Sequence, residues 1–83
     1  MIVHGRVQGV GFRYAIARAA EPRGVAGWVR NRADGTVEAV FEGEPAAVES
    51  LVRLTSEGPR GSEVTSVETE AVEPEGLLRF DVY

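Results

Sequence analysis

Gly5-Arg6-Val7-Gln8-Gly9-Val10-Gly11-Phe12-Arg13 decides the fold of this chain. The stretch leaves a strand-like segment, passes through a glycine-rich turn and enters a helix with an arginine at its mouth. Glycine adopts positive φ without steric cost, so Gly9 and Gly11 let the backbone curl tightly. Successive N–H groups in such a curl converge on one point and make an anion nest. The helix start adds unpaired N–H groups and the positive end of the helix dipole. Arg13 adds a planar fork of donors matched to phosphate oxygens. A small, doubly charged oxyanion suits every part of this turn. The glycines alone also fit an ordinary strand-to-helix connection with a solvated arginine. The dinucleotide fingerprint is excluded, because Tyr14 stands where its third glycine belongs, and a P-loop is excluded because the chain has no lysine.

Working outward, residues 2–7 alternate as a strand with Val3, Gly5 and Val7 on one face. Phe12, Ile16, Ala19 and Ala20 recur at helical spacing, and Pro22 ends that run. A second strand is expected from Val25 to Asn31. Asp34-Gly35 marks a hairpin turn into a third strand over residues 36–42, with Val37, Ala39 and Phe41 inward. Pro45 suits the first position of a second helix. Its inner stripe is Val48, Leu51, Val52 and Thr55, and it ends near Gly58-Pro59. A fourth strand is expected over 63–72, bulged because Val64 and Val67 break the period of two. Residues 77–82 read as the closing strand, with Leu78, Phe80 and Val82 inward. The order β-α-β-β-α-β predicts an α+β, ferredoxin-like two-layer sandwich: an antiparallel sheet with two helices on one face. In that topology the first two strands are parallel, with the third between them. Their carboxyl ends then lie at one edge of the sheet, about 10 Å apart. The glycine turn and Asn31 thus converge on the amino terminus of the first helix.

The 83 residues predict one domain spanning 1–83, with a single modest core. The chain has no cysteine, so disulfides, thiolate metal sites and cysteine nucleophiles are excluded. His4 is the only histidine, which is poor material for a zinc site. No metal and no cofactor is therefore expected. No apolar run is long enough to span a membrane and no signal-peptide pattern is present, so a cytoplasmic location is expected. Net charge is −4 but uneven. Residues 1–32 carry six arginines against Glu21, and the remainder carries three arginines against twelve acids. That asymmetry disfavours a broad nucleic-acid surface and favours one focused anion site. Arg18, Arg23 and Arg32 are expected to lie exposed. Gln8 and Asn31 are the only side-chain amides, a depletion of heat-labile residues that suggests thermostability. A GC-rich coding bias explains arginine in place of lysine equally well.

Three motifs carry a resemblance. Gly5 to Arg13, then Gly27-Trp28-Val29-Arg30-Asn31, then Asp34-Gly35-Thr36-Val37-Glu38 with Gly43, resemble the acylphosphatase family. The resemblance covers nearly the whole chain, including the Gly58-Pro59 break and the last strand. It implies hydrolysis of the mixed anhydride between a carboxylic acid and phosphate. It places the catalytic arginine on Arg13 and the catalytic asparagine on Asn31. The phosphate-binding loop then comprises Gln8, Gly9, Val10, Gly11, Phe12 and Arg13. Glu21-Pro22-Arg23-Gly24 departs from the family, which often has a leucine-glycine pair there, but this lies away from the site.

On that reading the loop and Arg13 hold the phosphoryl oxygens, and Asn31 orients the attacking water. The leaving carboxylate has a low pKa and needs no general acid. The partner is then a small acyl phosphate, touched only at its phosphate and by water, so selectivity among acyl groups is expected to be loose. His4 is expected to pack or face solvent, and Trp28 to anchor the sheet surface. Glu63, Glu68, Glu70, Glu73 and Glu75 read as a solvated acidic edge. Two rival readings are an anion-binding regulatory domain and a ferredoxin-like RNA-binding module. Retention of both Arg13 and Asn31 disfavours the first; acids on the third strand and few aromatics disfavour the second. Similar domains begin larger carbamoyl-transfer proteins, but a chain ending just after its last strand is expected to act as a free-standing monomer.

Overall fold

The computed structural model describes residues 1–83. In chain order it contains β1 (Ile2–Arg6), α1 (Phe12–Ala20), β2 (Ala26–Asn31), β3 (Val37–Glu42), α2 (Pro45–Glu57), β4 (Glu63–Glu68) and β5 (Phe80–Val82). The sheet order is β4-β1-β3-β2-β5. Among the first four strands every pairing is antiparallel, as the ferredoxin-like order requires. Both helices pack on one side of the sheet. Phe12, Ile16 and Ala20 of α1 lie one turn apart and are buried. With Leu51 of α2 they close over Val3, Val7, Val29, Val37 and Ala39 of the sheet and its turns. Thr55 is buried as well, and its hydroxyl donates to Leu51 O at 2.7 Å, so no polar group is stranded there.

Local chemistry sets the ends of these elements. Pro22 stops α1 and tightens the chain into a short 3-10 turn, Glu21–Arg23. Pro45 opens α2, and the Gly58 N–H closes it on Leu54 O at 3.0 Å. The expected bulge falls on β4. His4 pairs with Ser66 and Gly5 with Val64, so Thr65 is the extra residue. The skip turns both Val64 and Val67 toward the core side. It also brings the β4 backbone against Gly5. A Cβ there would lie 2.0 Å from Glu63 O, and φ is +124°, so only glycine fits.

The last quarter of the chain differs from expectation. β4 stops at Glu68, not residue 72, and β5 begins at Phe80, not residue 77. Leu78 is exposed, not inward. β5 pairs parallel to β2, so the five-stranded sheet is mixed. The reason is geometric. β4 ends opposite Ile2 and β5 begins opposite Gly27, at the same end of the sheet. The crossover over residues 69–79 runs from one edge to the other along that end, and β5 must then run with β2. The Glu42 carboxylate holds the crossover by accepting from the N–H groups of Glu75 at 2.7 Å and Leu77 at 3.1 Å. Arg18 and Arg32 are exposed as expected. Arg23 is partly buried instead. It joins the helices by donating to Ala19 O at 2.9 Å and to Ser50 Oγ at 3.1 Å.

Candidate functional site

The loop after β1 curls at Gly9 and Gly11, where φ is +72° and +77°. A side chain at either glycine would meet open space, so the requirement is conformational and not steric crowding. Gly11 is the cap residue of α1, and it offers no side chain to satisfy the helix start. The first helical hydrogen bond runs from Ala15 N–H to Gly11 O at 3.1 Å. The N–H groups of Phe12, Arg13 and Tyr14 therefore have no partner within the helix. Phe12 is buried and Val10 packs at the rim of the core, which pins both ends of the curl. The loop thus leaves a run of unpaired N–H groups, a candidate cup for an anion, at a helix amino terminus.

Arg13 stands at the rim of that cup, half-buried. One guanidinium nitrogen donates to the main-chain oxygen of Tyr83. The guanidinium carbon lies 5.8 Å from the centre of the Tyr14 ring. Tyr83 is in turn fixed to β2, through its N–H to Val29 O at 2.9 Å. The parallel pairing of β5 with β2 thus delivers an anchor to Arg13. The guanidinium has five donor hydrogens, and one anchor leaves most of them for an oxyanion.

Asn31 is the last residue of β2, exposed, and its carboxamide has no protein partner. Its backbone is held by the register with Val37. The following turn is tied to the glycine loop by Gln8. The Gln8 side-chain amide donates to Arg32 O at 2.8 Å and to Thr36 O at 2.9 Å. Its side chain is thereby committed to the hairpin, and its N–H is what it presents to the cup. The hairpin has its own lock. The Asp34 carboxylate accepts from the Thr36 hydroxyl at 2.6 Å and from the Thr36 N–H at 3.0 Å. Those two bonds, the hydroxyl first, hold the Asp34 carboxyl below its usual range, and the Arg32 charge adds to them. So β1, β2 and β5 bring the loop, Asn31 and Arg13 to one end of the sheet. Gln8 and Tyr83 are the two ties between them.

No three His, Asp or Glu side chains come together in a way that could hold a metal ion. His4 lies outside the site and is paired with Glu68, Nε2 to Oε2, at 2.5 Å. Trp28 lies on the helix-free face, edge-on to the Tyr83 ring at 6.4 Å and under the Arg30 guanidinium at 5.5 Å. A groove of about 480 Å³ among Met1, Phe41, Val48, Val52 and Val72 lies at the other end of the sheet from the loop.

Three contributors escape a reading of the sequence alone. Thr36 is buried and locks Asp34, a role that its place in the Asp34–Glu38 motif does not disclose. Tyr14 sets its ring 5.8 Å from the Arg13 guanidinium, and Tyr83 reaches Arg13 only through the parallel placement of β5. Gln8 did leave a signal, as the one glutamine of the chain.

Fold and candidate site together define a small α+β domain in which a glycine loop and a strand-end amide meet at one end of the sheet. The family model for acylphosphatase matches residues 1–82. An acylphosphatase of Thermococcus kodakarensis is 55% identical over 80 residues, covering 96% of this chain and 88% of that protein. The crystal structure of acylphosphatase from Bacillus subtilis superposes with a TM-score of 0.92 at 47% identity, over 99% of this chain and 92% of that one. An acylphosphatase structure from Coxiella burnetii gives 0.93 at 36% identity, over 99% and 86%. The chain belongs to the acylphosphatase family. By that membership it is a hydrolase.

Proposed function

We propose that this protein hydrolyses acyl phosphates to a carboxylate and inorganic phosphate. The observation that supports it most is the joining of two unlike donors at one sheet end. A cup of unpaired N–H groups with the free arm of Arg13 suits a phosphoryl group. The unpartnered carboxamide of Asn31 suits a water molecule.

The steps follow from those parts. Main-chain N–H groups from Gln8 to Arg13 take the phosphoryl oxygens, and Arg13 adds charge-assisted bonds that strengthen as charge spreads in the transition state. Asn31 orients a water in line with the bond to be broken. A carboxamide is a very weak base, so its part is positioning. The water oxygen bonds to phosphorus as the bond between phosphorus and the acyl oxygen breaks. The electron pair leaves on the carboxylate, and both water protons end on phosphate as H2PO4⁻. A carboxylate is a good enough leaving group to depart unprotonated. The cup is preformed, so little reorganisation opposes the reaction.

The test compares benzoyl phosphate with phenyl phosphate on the purified protein. Turnover of the anhydride with little turnover of the ester is expected. Equal rates on both, or none on the anhydride, would refute the reading.

A further inference from the structure

A groove of about 510 Å³ runs along α1 beside the chain that enters β5. Tyr14 and Ala17 line one wall, Val25 and Ala26 the base, and Leu78 and Phe80 the other wall. Its volume lies within the range of small-molecule sites. It begins at Tyr14, the residue after Arg13, whose ring touches the Arg13 guanidinium. It ends near Glu21, so it follows α1 for about 10 Å at 1.5 Å per residue. Two of its walls are apolar side chains turned to solvent: Tyr14 is 58% exposed and Leu78 is 97% exposed. Neither exposure serves the core. Exposed apolar surface lining a groove whose near end is the residue after Arg13 is a mark of ligand contact. The stems of Arg18 and Arg79 add aliphatic wall, and their charged ends stay at the rim.

We infer that this groove receives the acyl part of the substrate, so that the preferred class is phosphates of extended apolar carboxylic acids. The inference rests on the acylphosphatase reading. A phosphoryl group in the cup lies against Arg13, and the acyl oxygen has to leave the cup past its rim. The Arg13 rim borders Tyr14, where the groove starts. A short acyl group ends before the groove; an extended apolar one lies along Ala17 toward Leu78. The expectation of loose acyl selectivity, drawn from phosphate contacts alone, is thereby replaced by a preference for chain length.

Groove contacts are the same before and during the chemical step, so they act on KM and not on kcat. Octanoyl phosphate should show a KM about tenfold below that of acetyl phosphate, each methylene withdrawn from water adding to the difference. Leu78→Asp and Ala17→Glu place a carboxylate at the end and the middle of the groove. Each should raise the octanoyl KM at least about fivefold, with the acetyl KM unchanged, because a hydrated carboxylate replaces apolar surface that the acyl chain would cover, and that chain cannot repay its desolvation. Leu78 packs against nothing, so Leu78→Asp keeps its fold, and a thermal melt verifies it. Equal KM for the two substrates in the native protein would overturn the groove assignment, as would variants that move both substrates alike. Failure of the native protein on both substrates would instead overturn the acylphosphatase reading, and the groove assignment with it.

Discussion

The Gln8 side-chain amide donates to the Thr36 carbonyl at 2.9 Å, and this bond fastens the glycine loop to the hairpin that follows Asn31. A second bond from the same nitrogen, to Arg32 O at 2.8 Å, doubles the tie. One side chain thus ties the glycine loop to the turn that follows the strand-end amide. Gln8→Ala removes two hydrogen bonds, although Thr36 O keeps the Arg32 N–H and Arg32 O keeps the Gly35 N–H, and at about 0.5–1.5 kcal/mol per bond chemical denaturation should read a loss of about 1–3 kcal/mol. Gln8→Glu should be worse for activity than Gln8→Ala. It keeps the length but turns a carboxylate on two carbonyl oxygens, which pushes the loop and hairpin apart. A lower kcat for Gln8→Glu than for Gln8→Ala checks this.

Arg13→Lys should be nearly as damaging as Arg13→Ala. The guanidinium is anchored on the Tyr83 oxygen and, in the proposed mechanism, reaches the phosphoryl group with its free donors at the same time. An ammonium keeps the charge but loses the planar fork that holds both. A loss of about 2–4 kcal/mol in kcat/KM is expected, the size found when one oxyanion donor is removed. Inorganic phosphate should inhibit the native protein competitively and lose its grip on both variants.

Asp34 gives a pH signature to the hairpin. Its carboxyl is held below the ordinary 3.8 by the Thr36 hydroxyl and N–H. A lowered folded-state pKa stabilises the fold fully above the unfolded value and loses that contribution as pH falls through the folded one. The Tm gap between the native protein and Asp34→Asn should therefore be flat from about pH 7 to about pH 5 and close only below the ordinary carboxylate value. A gap that persists in strong acid would mean that the turn owes nothing to the charge.

Much of this site could be read from the sequence because its parts are local. Gly9, Gly11 and Phe12 set the curl through φ freedom and a buried anchor, both visible in nine residues. The bulge at Thr65 was legible because Val64 and Val67 had to share a face. The placement of β5 was not. Its three residues carry no register signal, and its direction depends on a crossover that the Glu42 carboxylate steers by capturing two main-chain N–H groups. With β5 unplaced, the anchoring of Arg13 by Tyr83 was out of reach. Arg23 misled for another reason: its charge suggested solvent, but main-chain and hydroxyl acceptors between two helices satisfied it.

Activity should persist in excess chelator. The chain has no cysteine, and its one histidine is paired with Glu68. In the proposed mechanism the phosphoryl charge is met by N–H groups and a guanidinium. Loss of turnover in chelator with recovery on adding Mg²⁺ or Zn²⁺ would contradict this.

Asn31→Ala should lower kcat sharply and leave the affinity for phosphate nearly intact. The two jobs at this site are physically separate. In the proposed mechanism the loop and Arg13 hold the phosphoryl group in both the ground and transition states, whereas Asn31 acts on the water, whose position counts only in the chemical step. The fold should survive, since the Asn31 side chain is exposed and bonded to nothing, and its backbone register with Val37 does not depend on it. Asn31→Asp is the harder test. A carboxylate is the stronger base, but it would stand beside a dianion and repel it. The aspartate variant should therefore be slow as well, and it alone should bind phosphate more weakly, most clearly at low ionic strength, where the repulsion is least screened. Full turnover in Asn31→Ala would reduce Asn31 to a turn residue. A fast Asn31→Asp would show that the water needs a base and not merely an orientation.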